Sequence, residues 1–251
     1  MLEQTRHGDI LELKLARPPV NALNPALVRA LRDAIVAAPG SGARAIVLSG
    51  NKGLFSAGLD VFELLTLDHA GMKAFWSDFV GLVAAIGRSP IPTVAAIGGH
   101  SPAGGAVLAI FCDYRVMARG TYRIGLNEVQ VGLTVPEIIQ AALRRLVGAY
   151  RAERLMVAGA MLEAEEAQRV GFVDELVDVD HVATRAIEWA RHLLALPTEA
   201  MSTTRRIARG DLHQVLDEAS RFPADEFAAR WFGDEAQATL KALVAKLKAK
   251  A

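Results

Sequence analysis

The chain has 251 residues, and its 52% hydrophobic content is enough for one large domain with a substantial core. Its 28 Lys and Arg residues balance 28 Asp and Glu residues, so net charge gives no general attraction to nucleic acid or to acidic membranes. A single cysteine, Cys112, excludes an intramolecular disulfide and a thiolate cluster for zinc.

The first ten residues, "MLEQTRHGDI", contain an early Glu and no apolar segment of the kind found in secretory signals, so we expect no export. Apolar stretches such as "FVGLVAAIG" reach roughly half of the ~20 residues that a membrane helix requires. We therefore expect a cytoplasmic protein that neither spans a membrane nor binds nucleic acid.

The first half of the chain predicts alternating strands and helices. Leucines alternate with charged residues over 11–15, which predicts a half-buried strand ended by "RPPVNALN". Asn24 and Pro25 are a good cap and first residue for a helix to about residue 38. The almost wholly apolar "ARAIVLSG" predicts a strand that is buried on both faces.

The segment "FSAGLD" follows that strand, and a helix is then predicted through about Gly87. Its apolar stripe of helical spacing indicates core packing, or in part a lipid-like pocket. The stripe comprises Met72, Phe75, Trp76, Phe79, Leu82, Val83 and Ile86. Next come a strand in "IPTVAAIGG", a turn and helix in "SPAGGAVLAIF", and a strand in "CDYRVMA". The recurring order predicts an α/β fold with crossover helices.

From Glu137 onward the pattern is helical apart from "GFVDELVD". We predict a core over residues 1–195 and a C-terminal helical region over 196–251. The tail from about 225 to 250 predicts one helix that ends in lysines, which on charge pattern alone form a solvated face. These lysines are Lys241, Lys246, Lys248 and Lys250.

Three places in the chain could carry chemistry. "FSAGL" and "SPAGG" each lie where a strand gives way to a helix, and free backbone N–H groups there could hold an oxyanion, although tight packing also explains small residues. Glu128 lies in the mostly apolar "RIGLNEVQVGL", where lost hydration would raise its pKa, although a surface position or a salt bridge is the alternative. The six histidines lack metal-ligand spacing.

Taken in order, "FSAGLD", "GGHSPAGGAVLAIFCDYRVMA", "YRIGLNEVQVGL" and "AQRVGFVDELV" resemble the enoyl-CoA hydratase/isomerase, or crotonase, superfamily over nearly the whole chain. Within it, the series is most similar to the mitochondrial-type Δ3,Δ2-enoyl-CoA isomerases. The resemblance implies a spiral of β-β-α units with a helical C-terminal region, assembled as a homotrimer or a dimer of trimers.

The resemblance also implies roles for individual residues. The N–H groups of Leu59 and Gly104 would bind the thioester oxygen, and Ser56, Ala57 and Gly58 would let the acyl-CoA approach the backbone. Coenzyme A would belong to the substrate, so we expect no separate cofactor and no metal. Further CoA contacts are expected from Ala22 and Leu23, and from Lys241 or Lys246 on a neighbour's C-terminal helix.

Hydratases of this family use two glutamates, of which the first, in a "GGGCE" context, falls here on Val107 and the second on Glu128. A single carboxylate suffices to move a double bond, which favours isomerisation of 3-enoyl-CoA in fatty-acid β-oxidation. The alternatives are enoyl-CoA hydration, another crotonase-type acyl-CoA reaction, or a non-catalytic RNA-binding or scaffold protein.

Overall fold

The computed structural model describes residues 1–218 and 222–249, without the side chain of Glu218. The β-strands in these ranges are Leu2–His7 (β1), Ile10–Leu15 (β2), Ala45–Ser49 (β3), Gly53–Leu54 (β4), Thr93–Ile97 (β5), Gly99–Pro102 (β6), Tyr114–Ala118 (β7), Arg123–Gly125 (β8), Leu162–Glu163 (β9) and Glu175–Val177 (β10). The α-helices are Pro25–Ala37 (α1), Val61–Leu64 (α2), His69–Gly87 (α3), Gly104–Phe111 (α4), Glu137–Val147 (α5), Ala149–Val157 (α6), Ala164–Arg169 (α7), Val182–Leu194 (α8), Thr198–Ala208 (α9), Gly210–Glu218 (α10), Ala224–Trp231 (α11) and Asp234–Lys248 (α12).

The strands form two sheets. The larger has the order β1-β2-β3-β5-β7-β10 and the smaller the order β4-β6-β8-β9. Neighbouring strands are parallel except for the antiparallel pairs β1 with β2 and β8 with β9. Parallel neighbours need crossover connections, and helices supply them here. The predicted α/β class with a helical C-terminal region is confirmed.

Both faces of the larger sheet are covered, which explains why β3 and β5 are buried at every position. On one face, small and β-branched residues of β3, β5 and β7 pack against Ala186, Ile187 and Ala190 of α8. On the other face, Ile46, Leu48 and their neighbours join the main core with α1, α3 and α4.

Two helices predicted in the first half of the chain are confirmed. Helix α1 begins after Asn24, whose Oδ1 accepts a hydrogen bond of 2.9 Å from the Leu27 N–H, as expected of a capping residue. In α3, all seven residues of the apolar stripe are buried in the main core. The stripe therefore packs the fold.

The prediction of a single helix from about 225 to 250 is wrong. The segment forms α11 and α12, because Gly233 between them has an extended backbone (φ −64°, ψ 149°). The break lets Trp231 before it and Leu240 after it both reach the core, where each is 0% exposed. Lys250 lies outside the described residues.

The C-terminal helices pack into the same core as the sheets. Leu212, Leu216 and Trp231 belong to the buried cluster that contains α1, α3 and α4. Helix α12 also contacts α2 and the 3₁₀ turn Glu128–Val131 of its own chain. The division of the chain at residue 195 stays a prediction.

Candidate active site

Three neighbouring strands of the smaller sheet bring the predicted site residues to one edge. Strands β4, β6 and β8 are parallel, with Gly53 opposite Gly99 and Pro102 opposite Gly125. The carboxyl ends of parallel strands meet at the same edge of a sheet, and ligands bind there in many α/β folds. The "FSAGL" turn follows β4, the "PAGG" turn follows β6, and Glu128 follows β8.

The two small-residue turns touch each other. A Cβ atom added to Gly58 would lie 3.3 Å from the Gly104 nitrogen and 3.2 Å from the Ala103 Cβ. Gly58 also has a left-handed backbone (φ 83°), which glycine adopts without strain. Glycine at 58 therefore permits this close approach.

The N–H groups of Leu59 and Gly104 have no hydrogen-bond acceptor in the parts of the chain that the structure describes. Leu59 pairs with Leu23 in an isolated parallel bridge, in which Leu23 N–H donates to Gly58 O and Asp60 N–H donates to Leu23 O. The Leu59 N–H therefore points away from Leu23, toward the other side of its own chain segment. Gly104 is the first residue of α4, so its N–H lacks an intrahelical acceptor. Two free donors from adjacent turns can together bind an anionic oxygen.

Asn21 holds the "FSAGL" turn through two hydrogen bonds, a role that sequence reasoning missed. Its Nδ2 donates to Phe55 O at 3.1 Å, and its backbone carbonyl accepts from the Ser56 hydroxyl at 2.8 Å. The same hydroxyl accepts the Gly58 N–H at 3.2 Å. Asn21 is fully buried and has a positive φ (50°) in a proline-rich loop, and these two features, visible only in the structure, identify its role.

Arg17 and Asp60 hold the neighbouring loop in place. Arg17 Nη2 lies 2.6 Å from Asp60 Oδ2, and its Nη1 donates to Ala22 O. Asp60 Oδ1 accepts the Glu63 N–H, so it caps α2 as such a residue can. Both charges are thus occupied in positioning the turn that carries Leu59.

Glu128 lies in a strongly desolvated environment. The residue is 8% exposed, and its Oε2 is buried with no hydrogen-bond partner among the described residues. Burial raises the pKa of its carboxyl from 4.5 to about 7. Asp60 and Asp113, two further carboxylates with little exposed side-chain surface, are both paired with arginines. Glu128 is therefore a buried carboxylate without a counter-charge, and neither the surface nor the salt-bridge alternative applies.

We expect Glu128→Gln to stabilise the fold in a pH-dependent way. Native Glu128 keeps its proton between pH 4.5 and about 7, whereas the unfolded chain loses it, so wild-type stability falls across this range. The neutral amide avoids this loss, and the variant should gain about 3 kcal/mol in unfolding free energy at pH 8 and little at pH 5. Urea denaturation at both pH values measures the difference. A gain of equal size at pH 5 would contradict the buried, high-pKa carboxylate.

The remaining predicted site residues lie around this edge or on α12. Ala57 N–H donates to Val20 O, and Ala22 and Leu23 are buried in the loop that packs beside them. Val107 follows Gly104 by one turn in α4 and is 1% exposed. Lys241 and Lys246 are exposed on α12. Their roles toward a ligand stay predictions.

Within residues 1–218 and 222–249, no three His, Cys, Asp or Glu side chains lie together as a metal site would require. In the same ranges, no helix combines the length and apolar character needed to cross a membrane. Burial raises the pKa of the Cys112 thiol to about 12, so this cysteine is not a nucleophile at neutral pH.

The sequence model of the enoyl-CoA hydratase/isomerase family matches residues 5–250 of this chain. The chain therefore belongs to the enoyl-CoA hydratase/isomerase family, and it is an enzyme of that family. The resemblance found in the motifs is confirmed.

The chain is similar to relatives named as isomerases and to relatives named as hydratases. Enoyl-CoA delta isomerase 1, mitochondrial, of Mus musculus is 31% identical over 253 residues, which cover 100% of this chain and 88% of the mouse protein. Probable enoyl-CoA hydratase echA17 of Mycolicibacterium paratuberculosis is 35% identical over 229 residues, which cover 88% and 86%. The crystal structure of human mitochondrial delta3-delta2-enoyl-CoA isomerase superposes with a TM-score of 0.93 at 28% identity, covering 100% of this chain and 98% of the human one.

Proposed function

We propose that the protein is a Δ3,Δ2-enoyl-CoA isomerase, which moves the double bond of a 3-enoyl-CoA to the 2-position. The observation that carries the proposal is the buried carboxylate of Glu128, which has no partner among the described residues, at the strand edge where the Leu59 and Gly104 N–H groups also lack an acceptor in those residues. One such group is sufficient for a proton shift between two carbons of the same chain.

In the proposed reaction, the Glu128 carboxylate removes a proton from C2 of the substrate. The electron pair moves into the thioester carbonyl and gives a dienolate, whose oxygen accepts hydrogen bonds from Leu59 N–H and Gly104 N–H. The protonated Glu128 then delivers the same proton to C4, and the electrons return to form the bond between C2 and C3. Charge develops on the oxygen mainly in the transition state, so the two donors lower the barrier.

Val107 favours isomerisation over hydration. Adding water across a double bond requires a group that orients and deprotonates the water, and in the family comparison that position is a valine here. A buried valine in α4 has no polar atom for this task. Hydration is the second candidate, because the mycobacterial relative named a hydratase is 35% identical.

Parallel assays on one preparation test the choice. We expect 3-enoyl-CoA isomerisation to exceed 2-enoyl-CoA hydration by about 100-fold or more, since a missing general acid or base typically costs this much. The Glu128→Gln variant serves as a blank for both reactions. Hydration faster than isomerisation would assign the enzyme to the hydratases instead.

The pH profile of isomerisation should report Glu128. The base must be ionised to accept the C2 proton, so kcat/KM should rise with pH and level off above an apparent pKa of about 7. Affinity for butyryl-CoA, which has no double bond to move, is the control and should vary far less over the same range. A profile that is flat from pH 5.5 to 8 is incompatible with this base.

The wider proposal places the enzyme in the cytoplasm and in fatty-acid β-oxidation, as a homotrimer or a dimer of trimers. Its substrate is an acyl-CoA, with coenzyme A as part of that substrate and no further cofactor. Lys241 and Lys246 are exposed on α12, and in the proposed assembly they are candidates for the CoA phosphates at a neighbouring subunit's site. A neutral substitution that leaves CoA affinity unchanged removes that lysine from the proposal.

A further inference from the structure

Ala103 has a backbone conformation that is unusual for its residue type. Its φ of 44° and ψ of −117° lie near the first central position of a type II′ turn, where glycine is the normal residue. The other non-glycine residue with positive φ in the described ranges is Asn21, whose side chain accepts the Arg17 N–H at 2.9 Å and donates to Phe55 O at 3.1 Å. Alanine has no such compensation, so Ala103 is strained.

Three contacts hold Ala103 in this conformation. Its N–H donates to Gly125 O of β8 at 2.8 Å, and its carbonyl accepts the Val107 N–H at 2.9 Å in the first turn of α4. Its methyl lies against the opposite turn, 3.2 Å from the place that a Cβ on Gly58 would take. Strand, helix and facing turn therefore fix the residue from three sides.

The conformation of Ala103 determines where the Gly104 N–H points, because ψ of one residue sets the plane of the peptide that follows. If this peptide turned over, Ala103 would enter the ordinary left-handed region, which alanine tolerates better. The turned peptide would also lose the bond from Val107 N–H and present a carbonyl oxygen at the strand edge. The contacts of Ala103 thus maintain its strained backbone and keep the Gly104 N–H directed toward the strand edge.

We propose that Ala103 is a positioning residue, whose strained backbone aims the Gly104 N–H at the substrate oxygen. This inference rests on the proposed function in assigning that donor to the thioester. It concerns the backbone angle, so glycine at 103 should preserve the effect. A β-branched residue, which does not adopt positive φ, should abolish it.

Two variants of Ala103 separate backbone positioning from steric effects. We expect A103G to keep kcat for 3-enoyl-CoA within about 2-fold and to raise Tm by about 2 °C or more, because strain is relieved. We expect A103V to lower kcat by about 10²- to 10³-fold, the usual effect of losing one such donor. A lower kcat or Tm in A103G, or an unchanged kcat in A103V, overturns the proposal.

Binding of two non-reacting acyl-CoA probes completes the test. Acetoacetyl-CoA can bind as an enolate with a charged oxygen, whereas butyryl-CoA has a neutral carbonyl. A103V should weaken acetoacetyl-CoA by about 10-fold or more and butyryl-CoA by less than about 2-fold. Equal weakening of both indicates a blocked site and refutes positioning. If the wild-type enzyme does not isomerise 3-enoyl-CoA, the proposed function fails, and the probes still decide the role of Ala103.

Discussion

Glu128→Gln is expected to lower kcat for isomerisation of 3-enoyl-CoA by about 10²- to 10⁴-fold, the range for loss of a general acid or base. The amide matches the carboxyl in size but cannot take the proton from C2. Butyryl-CoA binding should change by less than about 3-fold, because a neutral, isosteric side chain disturbs the desolvated pocket little. Stopped-flow absorbance and calorimetric titration measure the two quantities.

Glu137→Gln is the matched control for this variant. Glu137 lies nine residues downstream at the exposed start of α5, so the same chemical change there should leave kcat within about 2-fold. The assignment of the base fails if Glu128→Gln turns over at the wild-type rate. It also fails if both variants lose activity to the same extent.

Asp113→Asn is expected to reduce the free energy of unfolding by about 3–5 kcal/mol, as breaking a buried ion pair usually does. Arg205 donates from Nε to Asp113 Oδ1 at 2.8 Å, and Arg209 Nη1 donates to the same oxygen at 2.6 Å. Thr93 N–H also donates to this carboxylate. Although burial opposes ionisation, Arg209 and Arg205 outweigh it and hold the pKa of Asp113 below its ordinary value. Removing the charge leaves two arginines without their partner.

The expected loss corresponds to a decrease in Tm of roughly 10 °C for a chain of this size. Asp211→Asn is the control, because Asp211 pairs with Arg145 at 2.9 Å but its side chain is 62% exposed. Exposed pairs contribute about 1 kcal/mol at most. Similar Tm values for the two variants would show that the Asp113 cluster does not anchor α9 and α10 to the sheet.

The sequence by itself determined the local structure around the site. A period-2 pattern predicted β2, an almost continuous apolar run predicted β3, and helical spacing predicted α1 and α3, with the Asn24 cap marking where α1 begins. These features depend on residues close together in the chain. The motifs also identified the family. The apolar neighbours of Glu128 indicated that burial would raise its pKa, but they left a surface position or a salt bridge open, and only the tertiary structure decided between these.

The sequence left open whether the small-residue turns serve packing or chemistry, and the tertiary structure brought the pieces together. Leu59, Gly104 and Glu128 follow three strands that are parallel neighbours, and strand order is set by pairing across the whole sheet. Asn21 reaches Phe55 over 34 residues, and Arg209 reaches Asp113 over 96 residues. Such contacts leave no pattern within a short window.

For the C-terminal helices too, local sequence predicted helix formation and tertiary packing decided the arrangement. Their helical pattern was evident, but the break at Gly233 was not, because either one helix or two could satisfy the local preferences of residues 225–249. Burial of Trp231 and Leu240 in one core decided between them. Local sequence determines which residues are able to form a helix, a cap or a turn. Long-range packing determines which of the allowed arrangements buries the apolar surface, and within the described residues it leaves the buried Glu128 carboxylate without a partner.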